Sequence, residues 1–355
     1  MPRRHLWQAV ISPTSVLGIA LATGVYLATG HDPASNRSQD EPGVLHSGGT
    51  GPIYALAYAP DGSSLASGAF HDHVRVWAAA TGKPTAEFMD CVYRTSALAY
   101  SPDSKALAIA GITFSANDWS VTIRGVVSSD VDAVLHGHTD KVVELAFAPD
   151  GKMLASASLD STVRLWDTSD YHVRTVIRGS CPFHCLVFEA EGRTLLTGGS
   201  DGKVRRWDTA TGRELGIVMA RRAAIHRLSI TPDGKTLATW EIGELPVRLW
   251  DAATGALRAT ACGHTGYVQA LAFARDGKTL ASAGLDGTVR LWDAATGRER
   301  ATLRGSEPMA IHSLAFAPDG TVLASGGSGS TLTFWDVPRS LAGVATVKPI
   351  ALNDR

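Results

Sequence analysis

The run Leu145-Ala-Phe-Ala-Pro-Asp-Gly-Lys-Met-Leu-Ala-Ser-Ala-Ser-Leu-Asp-Ser-Thr-Val-Arg-Leu-Trp-Asp167 returns as Leu271 to Asp293 with only a few substitutions. Weaker copies begin near Leu56, Leu98, Leu186, Leu228 and Leu314. Around and within the run, Val143, Leu145 and Phe147 alternate ahead of a Pro149-Asp150-Gly151 turn. Met153-Leu154-Ala155-Ser156 resumes, Asp160 to Thr162 turns again, and Val163-Arg164-Leu165-Trp166 follows. Val173 to Ile177 comes after a further turn at Thr168-Ser169-Asp170. Alternation punctuated by turn residues predicts three strands and a fourth, outer one in each unit.

The tryptophan that closes the third strand can be followed along the chain: Trp77, then Arg124 in its place, then Trp166, Trp207, Trp250, Trp292 and Trp335. The steps of 47, 42, 41, 43, 42 and 43 residues contain no helical interval and match one four-stranded unit of a radial repeat. One such sheet buries little by itself. Stacking its faces against two neighbours builds a continuous core, and closing the series leaves only short protected edges. The chain is therefore expected to be all-β, a β-propeller with seven clear four-stranded blades. Alanine and glycine at inner positions let the sheets approach near a crowded axis.

Pro-Asp-Gly-Lys-x-Leu-Ala-Ser and Val-Arg-Leu-Trp-Asp, in seven serial units over roughly residues 44 to 337, resemble the regular bacterial repeats of the WD40 family. The resemblance implies a blade motif that is structural, with partner specificity on the top face, side walls and inserted loops. It also implies a hydrogen-bonded set within a blade, drawn from a Gly-His pair, a Ser or Thr, an Asp and the Trp. His138, Ser156, Asp160 and Trp166 match that set, with Ser158 an alternative to Ser156; His264, Ser282, Asp286 and Trp292 match it again. Histidine can donate through one ring nitrogen and accept through the other, joining a carboxylate to hydroxyl and indole groups. Such groups tolerate burial while the set is complete. Recurrence in two blades favours structural glue over a Ser/His/Asp nucleophilic site. Elsewhere the pattern lapses: the second blade has Arg124, the fourth keeps Asp201 and Trp207 without a Gly-His pair, the fifth lacks the turn aspartate, and the last has Gly329 there.

Residues 1–40 carry two readings. Residues 6–30 contain no Asp, Glu, Lys or Arg and follow Arg3-Arg4, which fits a targeting or anchoring extension. Ile19 to Asp32 also aligns with Leu271 to Asp286 with shortened turns, which makes residues 1–40 a degenerate eighth blade. In the seven-blade reading Val44-Leu45-His46 supplies the outer strand of the final blade. Residues 41–340 are then the propeller, and 341–355 a tail or rim strand. The expected location is cytoplasmic, with membrane anchoring or export through residues 1–30 as the alternative.

A formal net charge of -1, from 33 basic and 34 acidic residues, gives no long-range field for nucleic acid or anionic lipid. Cys91, Cys181, Cys185 and Cys262 do not recur with the repeat, and the Cys181, His184, Cys185 group lacks both zinc-pair spacing and a second cluster. No phosphate-binding loop or dinucleotide fingerprint occurs, so no cofactor or metal is expected. The expected function is a non-enzymatic scaffold binding a protein or peptide on its top face. The alternative is a propeller enzyme or a small-ligand or cofactor-binding protein using a polar central channel, for which His46, His71 and His73 are the nearest departures from regularity.

Four residues ahead of each Leu-Ala-Phe-like strand, Arg94, Lys141 and Tyr267 combine reach with charge or an amphipathic ring, features of interface anchors. Trp119 ends an expanded connection in the second blade that also holds Phe114, and Trp240 with Glu241, Glu244 and Pro246 reads as an irregular loop of the fifth. Arg94, Trp119, Lys141, Trp240 and Tyr267 are thus the candidate contacts. Arg221-Arg222, with Arg227 nearby, reads as a solvated basic rim.

Overall fold

The computed structural model describes residues 44–46, 51–71, 73–88, 94–112, 119–305 and 309–337. They form seven four-stranded antiparallel sheets, six of which are meanders of consecutive strands. Blade 3 shows the pattern, with strands Val142–Phe147, Met153–Ser158, Thr162–Asp167 and Val173–Arg178. The first strands of the seven blades are Ile53–Tyr58, Arg94–Tyr100, Val142–Phe147, Phe183–Phe188, Ile225–Ile230, Val268–Phe273 and Ile311–Phe316. Each packs against the next, and the last packs against the first, which closes a seven-bladed propeller.

The seventh sheet is completed from the other end of the chain. Val44, Leu45 and His46 pair with Thr333, Leu332 and Thr331, the arrangement expected of a seven-blade ring. The eighth-blade and anchor readings of residues 1–40, and the tail at 341–355, fall outside the described residues. Among the described residues no helix is long and apolar enough to cross a membrane.

The core is divided into clusters that each join two adjacent blades. Blade 3 contributes Ala155, Val163, Leu165 and Ile177, and blade 4 meets them with Phe183, Leu186, Leu195 and Trp207. Second strands, covered on both faces, are buried along their whole length in blades 3 and 6, as strands between two layers must be. The third-strand tryptophan faces the preceding blade: Trp166 joins blade 2 and Trp292 joins blade 5. Arg124 keeps this place in blade 2, opposite Leu107 as Trp166 is opposite Leu154. It is 7% exposed, its guanidinium lies 5.0 Å from the Phe88 ring centroid of blade 1, and Nη1 donates to Ser129 O at 2.9 Å. An arginine held over an aromatic face fills the slot partly by its own stem, so the ring continues through the irregular blade.

Candidate binding site at the mouth of the central channel

Both expected hydrogen-bonded sets are present. Trp166 Nε1 donates to Ser156 Oγ at 2.9 Å, and that oxygen lies 2.7 Å from His138 Nε2. His138 Nδ1 is 2.8 Å from Asp160, which also accepts from Thr139 N and Thr162 Oγ1. Because the carboxylate only accepts, Nδ1 carries the proton and Ser156 Oγ–H donates to Nε2. Ser282, His264, Asp286 and Trp292 repeat the set in blade 6. Ser158 instead donates to Asp140 O at 2.9 Å, which settles the serine assignment on Ser156. Every member is committed to another, deep within its blade.

The unrepeated chemistry lies on the first strands. Each carries a register shift near its start, and such a bulge re-aims a side chain. The re-aimed residues are Tyr54, Ser96, Val143, His184, His226, Gln269 and His312, all half-buried. Because first strands form the inner ring, these side chains surround the channel. The next position is Ala55, Ala97, Cys185, Ala270 or Ser313 in five blades, all buried, but Glu144 in blade 3 and Arg227 in blade 5.

Arg227 sits where charges from several blades meet. Its Nε donates to Gln269 O of blade 6 and its Nη1 to His226 O. Its charge reaches Lys141 and Glu144 of blade 3, His184 of blade 4 and His312 of blade 7. Burial, then the charges of Arg94 and Arg227, bring Lys141 down to about 8 against the opposing effect of Asp140. Burial pushes Glu144 up to about 7, with Arg227 offsetting part of the rise. Burial followed by Arg227 lowers His184 to about 4, and burial followed by Arg94 and Arg227 does the same to His312. His226 is held well below the ordinary imidazole range, first by burial.

Arg94 lies 4.1 Å over the Tyr54 ring, which is 4.8 Å from the His312 ring. The His184 and His226 rings are 5.7 Å apart. Among the described residues, Arg94, Lys141 and Arg227 have no carboxylate within ion-pair distance, although Glu144 acts on Arg227 and Asp140 on Lys141. Arg94 Nε, His226 Nδ1 and Trp240 Nε1 are buried without a hydrogen-bond partner. No group of three or more His, Cys, Asp or Glu among the described residues is placed to hold a metal ion.

Antiparallel connectivity puts the approach to each first strand at the same end as the link between second and third strands. Arg94 and Lys141 therefore share the channel mouth with Tyr267, which is 43% exposed. Leu285, Leu245 and Met309 add exposed apolar surface at that end. Trp119 is half-buried just before the third strand of blade 2, Val121–Gly125; Phe114 lies outside the described residues.

Trp240 is not a surface anchor. The second strand of blade 5, Thr236–Glu241, runs through both Trp240 and Glu241, and each is only 1% exposed. The equivalent residue elsewhere is Gly68, Ala110, Ala157, Gly198, Ala283 or Gly326. Space there is tight: a Cβ on Gly198 meets Ile225 Cγ2 at 2.6 Å. Blade 5 accommodates an indole because Thr236–Glu241 approaches the neighbouring first strand less closely than any other second strand does. The Trp240 ring then lies 5.5 Å from Tyr267 and 5.8 Å from His226, supporting two mouth residues from below.

Glu241 also belongs to the interior, paired with Arg248 and with Arg221, while Glu244 holds the other arm of Arg248 at 3.1 Å. Burial raises the Glu241 carboxyl above its ordinary value, against the pull of those arginines. Of the basic rim, Arg221 and Arg222 are exposed, but Arg227 turns inward to the channel.

A family model described as WD domain, G-beta repeat, matches residues 43–78, 130–167, 172–208, 255–293 and 297–336, more than half of the chain. Target of rapamycin complex subunit wat1 of Schizosaccharomyces pombe is 33% identical over 116 residues, 32% of this chain and 35% of that protein. An uncharacterized WD repeat-containing protein of Synechocystis is 33% identical over 144 residues, 40% of each chain. Protein groucho of Drosophila melanogaster is 31% identical over 118 residues, 32% of this chain and 15% of that protein. The matched segments span less than half of each relative. The chain belongs to the WD40-repeat family.

Proposed function

We propose that this propeller is a non-enzymatic scaffold that holds a peptide or protein segment across the channel mouth. The observation that carries this reading is the joining, on one end of a rigid ring, of cations at Arg94, Lys141 and Arg227 that form no ion pair among the described residues with exposed apolar side chains at Tyr267, Leu285 and Met309. Preformed surfaces of mixed character bind with little ordering cost. The name of the matched fission-yeast protein, a complex subunit, agrees with a partner-holding role.

His184 with Ser200 (2.8 Å) and His312 with Ser328 (3.0 Å) bring imidazole and hydroxyl together as a base and nucleophile would be. Both imidazoles are held at about 4, too weakly basic to take a serine proton efficiently near neutrality. The pairing also recurs in two blades, which supports a positioning role for each serine.

Selection of displayed peptides on the full chain tests the proposal. Binders should lose affinity on Lys141→Ala and Tyr267→Ala and keep it on Arg193→Ala, whose 85% exposed side chain lies at the opposite end. Binders indifferent to both mouth substitutions would overturn it.

A further inference from the structure

We infer that the channel mouth takes the carboxylate of an acidic side chain from the bound peptide, clamped by Arg94, Lys141 and Arg227. This deepens the scaffold proposal and rests on it. Lys141 lies within electrostatic reach of both Arg94 and Arg227, and among the described residues none of the three has a carboxylate in ion-pair range, Glu144 acting on Arg227 from farther off. Several other half-buried arginines of the ring do have such partners, Arg205 with Asp201, Arg206 with Glu189 and Arg248 with Glu241, whereas Arg164 donates to the carbonyl of Gly137. Three gathered cations repel one another, the nearby carboxyls of Glu144 and Asp140 offset this only in part, and an arriving anion relieves that repulsion.

An orphaned donor points the same way. Arg94 Nε is buried without a partner, where native groups of this kind almost always have one. Arg227 has already committed Nε and Nη1 to backbone carbonyls, which fixes its fork and leaves Nη2 for a ligand. An oxyanion supplies acceptors for several such donors at once. The adjoining apolar rim at Tyr267 and Met309 favours an anion carried on a peptide over a free ion.

The charge of the site depends on pH in a definite direction. Glu144 faces Arg227 and the Cys185 thiol, and at about 7 it is largely neutral in mildly acidic solution. Lys141 faces Arg94, Arg227 and Asp140, and at about 8 it is charged there. The imidazoles of His184, His226 and His312 are neutral above pH 6. Raising the pH from 6.5 to 9 therefore ionises Glu144 and discharges Lys141, and both changes weaken anion binding.

Glutarate is the probe, with glutaramide as its uncharged counterpart, titrated at constant ionic strength into the full chain while the imidazole proton resonances are followed. Saturable glutarate binding is expected at pH 6.5, roughly tenfold or more weaker at pH 9 and in Arg227→Gln or Lys141→Met, the scale of losing one charge-assisted contact. Glutaramide should not bind. Because Arg227→Gln risks misfolding, Glu144→Gln supplies an independent arm: it keeps the shape and should bind more tightly at pH 8 than the wild type. A response no greater than that to sodium chloride, an unchanged affinity in Glu144→Gln, or saturation by inorganic phosphate alone would each overturn the carboxylate assignment. Peptides that need Tyr267 but carry no acidic residue would leave the scaffold reading standing and remove this one.

Discussion

Blades 5 and 6 are neighbours with the same four strands, yet they hold their tryptophans by different chemistry. In blade 6, Ser282 Oγ accepts from Trp292 Nε1 at 2.7 Å and joins His264 and Asp286. In blade 5, Thr239 Oγ1 accepts from Trp250 Nε1 at 2.8 Å and donates to Glu241 at 3.3 Å, whose carboxylate gathers Arg248 and Arg221. Trp77, Trp207 and Trp335 need only Ser67, Thr197 and Ser325. The invariant requirement across these blades is one hydroxyl for the indole N–H of the third-strand tryptophan. Histidine and aspartate are one way to anchor that hydroxyl, and a blade released from them can place a glutamate, an indole and a channel arginine where the others repeat.

The largest expected effect comes from removing the substitute anchor. Glu241→Ala leaves Arg248, with an 11% exposed side chain, held only by Glu244. Loss of one partner from a buried pair costs roughly 3 kcal/mol or more, measured by urea unfolding. A cost near zero would show that blade 5 is held by packing alone. Next, Ser282→Ala orphans both His264 Nε2 and Trp292 Nε1, whereas Ser325→Ala orphans only Trp335 Nε1. At about 1–3 kcal/mol per buried orphan, the first should cost about twice the second; equal costs would mean that the histidine adds nothing.

Acid sharpens the same comparison. Burial alone would raise Asp286, but hydrogen bonds from Thr265 N, Thr288 Oγ1 and His264 hold it down at about 2. The unfolded chain then binds the proton more readily, so this contribution is complete above about pH 4 and is lost as the pH falls toward 2. Asp286→Asn should flatten the dependence of unfolding free energy on pH in that window. An unchanged slope would assign acid sensitivity to other carboxylates.

The ring, its strand order and both four-residue sets were legible because turn chemistry and a tryptophan every forty-odd residues are local signals. The mouth was only half legible. Arg94, Lys141 and Tyr267 stand out as unlike residues at one repeat position, but Arg227 lies close in sequence to Arg221 and Arg222 and looks like part of their rim. Its inward turn follows from a bulge, which has no residue signature of its own. The signal was nonetheless in the repeat: Glu144 and Arg227 replace small residues at the position of Ala55, and Trp240 replaces Gly or Ala at that of Gly68. Placing Trp240 in a loop misjudged a large residue at a small-residue position, where the backbone had moved apart to bury it.

Blade 2 offers the finest test, because it has lost the indole and its acceptor together. Ile109 stands opposite Thr122 as Ser156 stands opposite Arg164, so no hydroxyl occupies the place that would receive an indole N–H beside Arg124. Arg124→Trp alone should therefore be destabilising, since it strands a buried donor and removes the stacking on Phe88. Ile109→Ser alone should also be destabilising, by burying an unpaired hydroxyl among Leu98, Tyr100 and Leu107. Combined, each new group satisfies the other, and the double variant should be more stable than the sum of the singles by about 1 kcal/mol, the net worth of one hydrogen bond. Simple additivity in that cycle would mean that the hydroxyl-to-indole bond shared by the other six blades accompanies packing without stabilising it.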